Sequence, residues 1–167
     1  TMLLDGPATH TVLIDQGAMA ASSTGALIIN MGSVDPATDR SLAALATAEG
    51  RAYLDAPVSG GVAGAEAASL AILVGGEAEA FARAEPGFAA LGRATHQGPT
   101  GAGQVAKLAN QLIVASTIGA VAEAFALANS AGCDPAALRS ALMGGFADSR
   151  ILELHGARMV AADYAPG

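Results

Sequence analysis

Gly98-Pro99-Thr100-Gly101-Ala102-Gly103-Gln104-Val105-Ala106-Lys107 divides the sequence into two grammars. Before it, short apolar runs alternate with helical stretches; after it, strand signals stop and a helical pattern runs from Gly101 to Ala131. Upstream, Ala26-Leu27-Ile28-Ile29-Asn30 is a continuous apolar run of the kind buried on both faces of a parallel sheet. Ser33 or Asp35 can cap a helix that carries Pro36 in its first turn and stops at Gly50. Ala52-Tyr53-Leu54 reads as the next strand, Asp55 to Gly64 as a loop, and Leu70 to Val74 as a strand ending in a Gly75-Gly76 turn. A helix from Glu77 to Ala90 and a weak strand from Arg93 to His96 follow. Strand, helix and strand recurring in this order predict an α/β fold with a parallel sheet. Thr1 to Leu4 reads as the end of a strand entering a turn, so the start is expected to be truncated.

Downstream, Asp134 caps a helix with Pro135 at its first position, and a further helix runs from Asp148 to Val160. Residues 1–100 are therefore expected to form a partial α/β domain, and residues 101–167 a partial all-α domain opened by a long helix. The uncharged run Leu108 to Ala122 is shorter than the roughly 20 residues a bilayer requires and contains Asn110, Gln111, Ser116 and Thr117, so it reads as a buried helix and no membrane is expected.

Composition narrows the class. With 52% apolar and 14% charged residues the chain is not disordered in type. Ala and 21 Gly dominate and Trp is absent, so stability has to come from close backbone approach in place of aromatic anchors. The net charge of −7, with eight scattered basic residues, speaks against nucleic acid. One cysteine forms no internal disulfide, and the three separated histidines give no metal spacing. No basic segment precedes Arg40, so no signal peptide is read and a cytoplasmic setting is expected.

Three stretches carry chemistry. Gly101 to Ala106 matches the dinucleotide fingerprint G-x-G-x-x-G/A, with Glu123 near the position of a ribose-binding acid. The match lacks the preceding apolar strand, and Glu123 lies within the same helix, so a glycine-rich helix start that packs closely is the better reading. Lys107 is the sole lysine, and helical spacing places Asn110 and Gln111 on its face. Two readings stand: a buried amine able to exchange a proton near neutral pH, or an amine that snorkels to water. Asp55-Ala56-Pro57-Val58-Ser59-Gly60-Gly61 offers freed backbone N–H groups and a hydroxyl, which suit a carboxylate. Asn30-Met31-Gly32-Ser33 stands where open α/β sheets bind ligands, although helix capping explains Ser33 equally well. His10, His96 and His155 read as surface or satisfied core residues, and Cys133 as a small apolar filler.

The Asp55–Gly61 loop, the run Leu70 to Gly76 and the stretch Gly101 to Gln111, in this order, resemble the β-hydroxyacid dehydrogenase family over the whole length. That resemblance implies the C-terminal part of a Rossmann-type sheet domain, then a long interdomain helix and an all-α domain that mediates homo-oligomerisation. It implies hydride transfer between NAD(H) or NADP(H) and a small carboxylate substrate, a 3-hydroxy acid or its semialdehyde. Lys107 would be the catalytic proton donor and acceptor; Ser59, Gly60, Gly61, Asn110 and Gln111 would bind substrate; Leu3, Leu4 and Ser33 would meet the cofactor. Lys-x-Ala-Asn-Gln and the stretch Ala141 to Gly156 favour the branch that reduces tartronate semialdehyde. Leu4 and Gly32 depart from the family's commoner Pro and Ser. The family's glycine loop and a second cofactor lysine are expected outside these residues, leaving this stretch inactive alone. A non-catalytic member or oligomerisation fragment and an imine reductase are the competing readings; retention of Lys107 and Ser59 opposes the first, and the second would carry a different residue at the Lys107 position.

Overall fold

The computed structural model describes residues 1–165. Helix α1 (Gly6–His10) starts where the Asp5 carboxylate accepts the Ala8 N–H at 2.8 Å. It runs into a π-helical turn over Thr11–Asp15, and α2 (Ala18–Ala21) follows. These pieces are too short to stand out as periodicity, yet they bring Leu13 and Met19 into the core. Strand β1 (Leu27–Asn30) forms where the apolar run suggested, with Ile28 and Asn30 buried and Leu27 and Ile29 partly buried against the core on the other face. Thr1 lies beside it in strand fashion, its amino group donating to the Ile29 carbonyl and its carbonyl accepting the Met31 N–H, but no strand is formed there. Helix α3 (Pro36–Ala48) is capped by Asp35, which accepts the N–H groups of Ala37 and Thr38; Ser33 is left exposed.

Strand β2 (Ala52–Asp55) pairs in parallel with β1, Asn30 standing opposite Asp55. The segment expected to be a loop holds a short strand, β3 (Val58–Ser59), and a helix, α4 (Gly61–Glu66). Both β2 and β3 pair antiparallel with β4 (Leu70–Gly76), so the two behave as one strand interrupted at Ala56-Pro57, where proline has no N–H to give the ladder. Gly75 and Gly76 therefore belong to β4 and do not form a turn. A Cβ on Gly76 would stand 2.9 Å from the Tyr53 carbonyl, so only glycine lets β4 pass β2. Helix α5 (Ala78–Ala89) and β5 (Gly92–Gly98), parallel to β4, complete a mixed α/β sheet whose parallel ladders are the longer ones. Alternation along β2 sends Leu54 into a cluster with Ile72, Val74 and Phe88, and Tyr53 into another with Leu13, Met19 and Leu42.

Helix α6 (Ala102–Ser130) is followed by α7 (Pro135–Leu142), capped by Asp134, and α8 (Arg150–Val160), capped by Ser149. The chain forms two compact units, Thr1–Ala109 and a second beginning at Asn110. The second has its own small core of Val121, Phe125 and Leu152, with Leu138, Ile151 and Met159 against it. The expectation of a buried long helix does not hold: Leu108, Leu112, Ile113 and Leu127 are exposed, because α6 is apolar on all sides while Val121 and Phe125 are its core members in this unit. By length and composition α6 is also sufficient to cross a bilayer, which the uncharged run by itself is not.

Candidate functional site

The site begins at the end of β2. Asp55 is fully buried, and its carboxylate accepts the Gly101 N–H at 2.7 Å and the Gln104 N–H at 2.9 Å, filling the positive N-terminal end of α6. Burial pushes its pKa upward, and the two backbone donors act in the opposite direction. A Cβ on Gly103 would lie 2.4 Å from the Leu73 carbonyl and 2.6 Å from the Asp55 carbonyl. The fingerprint-like glycines thus seat a helix start against two strands, and the chain's own carboxylate occupies the place a diphosphate would take.

Beside Asp55 runs a buried polar seam that the sequence reading passed over. The Asp39 carboxylate accepts from Asn30 Nδ2 at 2.9 Å, from the Tyr53 hydroxyl at 2.6 Å and from Gln104 Nε2 at 2.8 Å. Burial raises the Asp39 pKa against these three hydrogen bonds, and burial followed by the Asp39 charge raises that of Tyr53. The signal was present in the pattern: Asp39 shares the apolar stripe of α3 with Leu42, Ala43 and Ala46, at i, i+3, i+4 and i+7. A carboxylate in such a stripe requires buried partners.

Lys107 is half-buried, and its Nζ donates to the Val58 carbonyl at 2.7 Å. The amine is thus held at β3 and does not reach out along the helix end. Desolvation lowers its pKa. Ser59, Gly60 and Gly61 follow Val58 directly, so lysine and serine-glycine loop come together. Gly60 (φ +139°) and Gly61 (φ +62°) both take conformations that favour glycine; a Cβ at Gly60 would press on Leu70 at 3.1 Å, whereas nothing lies within 4 Å of one at Gly61. At the end of β1, the Leu3 carbonyl stands 3.0 Å from where a Gly32 Cβ would be, Ser33 is exposed and Leu4 is 89% exposed. Leu3, Gly32 and Ser33 thus form a second group. Both groups lie beyond the C-terminal ends of the parallel pair β1 and β2, where open α/β sheets take ligands. Asn110 and Gln111 fall in the second unit and bond to each other, Asn110 Nδ2 donating to Gln111 Oε1 at 2.9 Å. His96 stacks on Phe81 with ring centres 5.3 Å apart.

The profile of the family described as "NAD binding domain of 6-phosphogluconate dehydrogenase" matches residues 1–123, and that described as "NAD-binding of NADP-dependent 3-hydroxyisobutyrate dehydrogenase" matches residues 101–167. The chain is 46% identical over 168 residues to the 2-hydroxy-3-oxopropionate reductase of Escherichia coli K12, covering 99% of the chain and 58% of that protein. It is 46% identical over 125 residues to the 3-hydroxyisobutyrate dehydrogenase of Pseudomonas aeruginosa, covering 74% and 42%. The solved Mycobacterium tuberculosis 3-hydroxyisobutyrate dehydrogenase with L-serine superposes with a TM-score of 0.83 at 34% identity, over 100% of this chain and 55% of that one. That from Salmonella typhimurium gives 0.87 at 29% identity, over 99% and 58%. The chain thus spans between 42% and 58% of the length of these relatives. Sequence and fold agree that it belongs to the β-hydroxyacid dehydrogenase family, the family of 3-hydroxyisobutyrate dehydrogenase.

Proposed function

We propose that the complete protein carrying this chain is an NAD(P)-dependent oxidoreductase that interconverts a small 3-hydroxy acid and its semialdehyde, with tartronate semialdehyde and D-glycerate as the preferred pair. The observation that carries this reading is the desolvated Lys107 amine, held at the Val58 carbonyl immediately before Ser59-Gly60-Gly61. The 46% identity to 2-hydroxy-3-oxopropionate reductase over nearly the whole chain supports the choice of substrate. A second reading, 3-hydroxyisobutyrate as substrate, has the same identity behind it over a shorter stretch.

The residues fit the nicotinamide end of the cofactor. Gly32, without a side chain, lets the loop after β1 pack closely on the Leu3 backbone, and the exposed Leu4 and Ser33 offer an apolar and a hydroxyl contact. The start of α6 does not fit the diphosphate, because Asp55 fills it. When bound, the nicotinamide supplies a hydride to the aldehyde carbon or takes one from the carbinol carbon. Lys107 gives a proton to the carbonyl oxygen in reduction and accepts the hydroxyl proton in oxidation. Ser59 and the N–H groups of Gly60 and Gly61 hold the carboxylate, while Asn110 and Gln111 keep the substrate-binding role of the family pattern. Self-association through the helical part belongs to the same reading, and sedimentation of the complete protein checks it.

In the complete protein, Lys107→Ala is expected to lower turnover by about 10²–10⁴-fold with cofactor binding retained. Turnover within a few fold of the parent would sink the proposal. The pH profile has a definite sign: oxidation needs the neutral amine, so its rate rises with pH through a midpoint below the ordinary lysine value of 10.5. Comparing kcat/KM for D-glycerate and 3-hydroxyisobutyrate decides between the two substrates.

A further inference from the structure

Gln104 is 1% exposed, and the proton-transfer reading gives it no part. Its amide reaches two elements. Nε2 donates to the Gly32 carbonyl at 2.8 Å and to Asp39 Oδ2 at 2.8 Å, and Oε1 accepts the Val34 N–H at 3.2 Å. Gly32 and Val34 flank Ser33, so one side chain supplies the partners for the backbone on either side of that serine. Two acceptors face Nε2 and one donor faces Oε1, which leaves a single orientation for the amide. Asp39 is in turn fixed by Asn30 and Tyr53. Lys107 stands three residues further along α6, a neighbouring position on the helix surface.

We propose that Gln104 is a positioning residue, whose amide ties the loop presenting Ser33 to the helix bearing Lys107, so that the nicotinamide seat and the proton-transferring amine keep one register. This rests on the reading in which Ser33 meets the cofactor and Lys107 exchanges the proton. Glutamine suits the position and glutamate does not, because a carboxylate there would face the Gly32 carbonyl and the Asp39 carboxylate.

The test uses the complete protein with Gln104→Met, which keeps the length of the side chain and removes its three hydrogen bonds. Titration calorimetry with NADH and NADPH is expected to show the cofactor Kd raised by about tenfold or more, as several lost hydrogen bonds of ordinary net strength would give. The cofactor KM follows, while the KM for the hydroxy acid stays within a factor of about two. A merely structural role would lower the thermal midpoint and the active fraction and leave Kd unmoved; that result overturns the proposal. Combining Gln104→Met with Ser33→Ala is expected to weaken binding no further than the weaker single variant does, and fully additive losses would also overturn it. If Gln104→Met does not fold, amide exchange at Val34 in the parent carries the test. Protection that deepens when NADH or NADPH is added supports the tie; exchange at the rate of an open loop, indifferent to cofactor, refutes it. Failure of the hydride-transfer reading looks different: Lys107→Ala would keep its turnover while Gln104→Met still loosened the cofactor.

Discussion

Two glycine-rich stretches look alike in the sequence and do opposite work in the fold. Gly101 and Gly103 are buried, and at Gly103 the absent side chain makes room for two backbone carbonyls, those of Leu73 and Asp55. Gly60 and Gly61 are exposed, and at Gly61 a side chain would meet nothing; there the backbone torsion alone asks for glycine. The stretch matching a nucleotide fingerprint is therefore a packing seam, its helix end already satisfied by Asp55, and the stretch without a fingerprint is the open one beside Lys107. A glycine motif indicates a close approach or a special torsion, and what approaches must be found before a ligand is assigned.

Gly103→Ala would break this contrast first. The clashing atoms are main-chain carbonyls of two strands and cannot swing away, so a destabilisation of about 3 kcal/mol or more is expected in urea unfolding of the complete protein. A loss under 1 kcal/mol would mean that the seam is looser than described. Gly61→Ala should cost only about 1 kcal/mol, the strain of a left-handed torsion. If that loop holds the carboxylate, the KM of the hydroxy acid rises while stability scarcely changes; an unchanged KM removes Gly61 from the site.

The smallest effect sharpens the description of the seam. Burial raises the Asp39 pKa above its ordinary 3.8, so between 3.8 and the raised value the folded state binds more protons than the unfolded one. Stability contributed by Asp39 is then present at low pH and lost as pH rises through that window. Asp39→Asn removes the titration, and its altered hydrogen bonds give an offset that does not vary with pH. Unfolding measured from pH 4 upward should show the parent losing stability relative to the variant; parallel curves would show that Asp39 does not titrate abnormally.

The legible parts of the fold are those governed by local chemistry. Asp35-Pro36 and Asp134-Pro135 announce their helices through capping and proline's fixed torsion, and α6 through sheer length. The antiparallel passage of β4 was hidden because it depends on a strand broken at Pro57 and on what Gly75 and Gly76 must pass, which is a matter of distant packing. Helices α1, α2 and α4 are shorter than any periodicity can reveal. In the candidate site, Lys107 and the Ser59 loop were legible through residue type and order. The partners of Gln104 and Asp39 were not, since hydrogen bonds such as Gln104 to Gly32 join residues far apart in sequence.

Lys107, the only lysine in these residues, has one more consequence, in chemical labelling. Acylating reagents attack the neutral amine, and desolvation makes that form commoner here than on an ordinary lysine. Peptide mapping after brief acylation would thus find one modified side-chain amine across this whole stretch. The protection of that single site by candidate hydroxy acids could rank them without any turnover being measured.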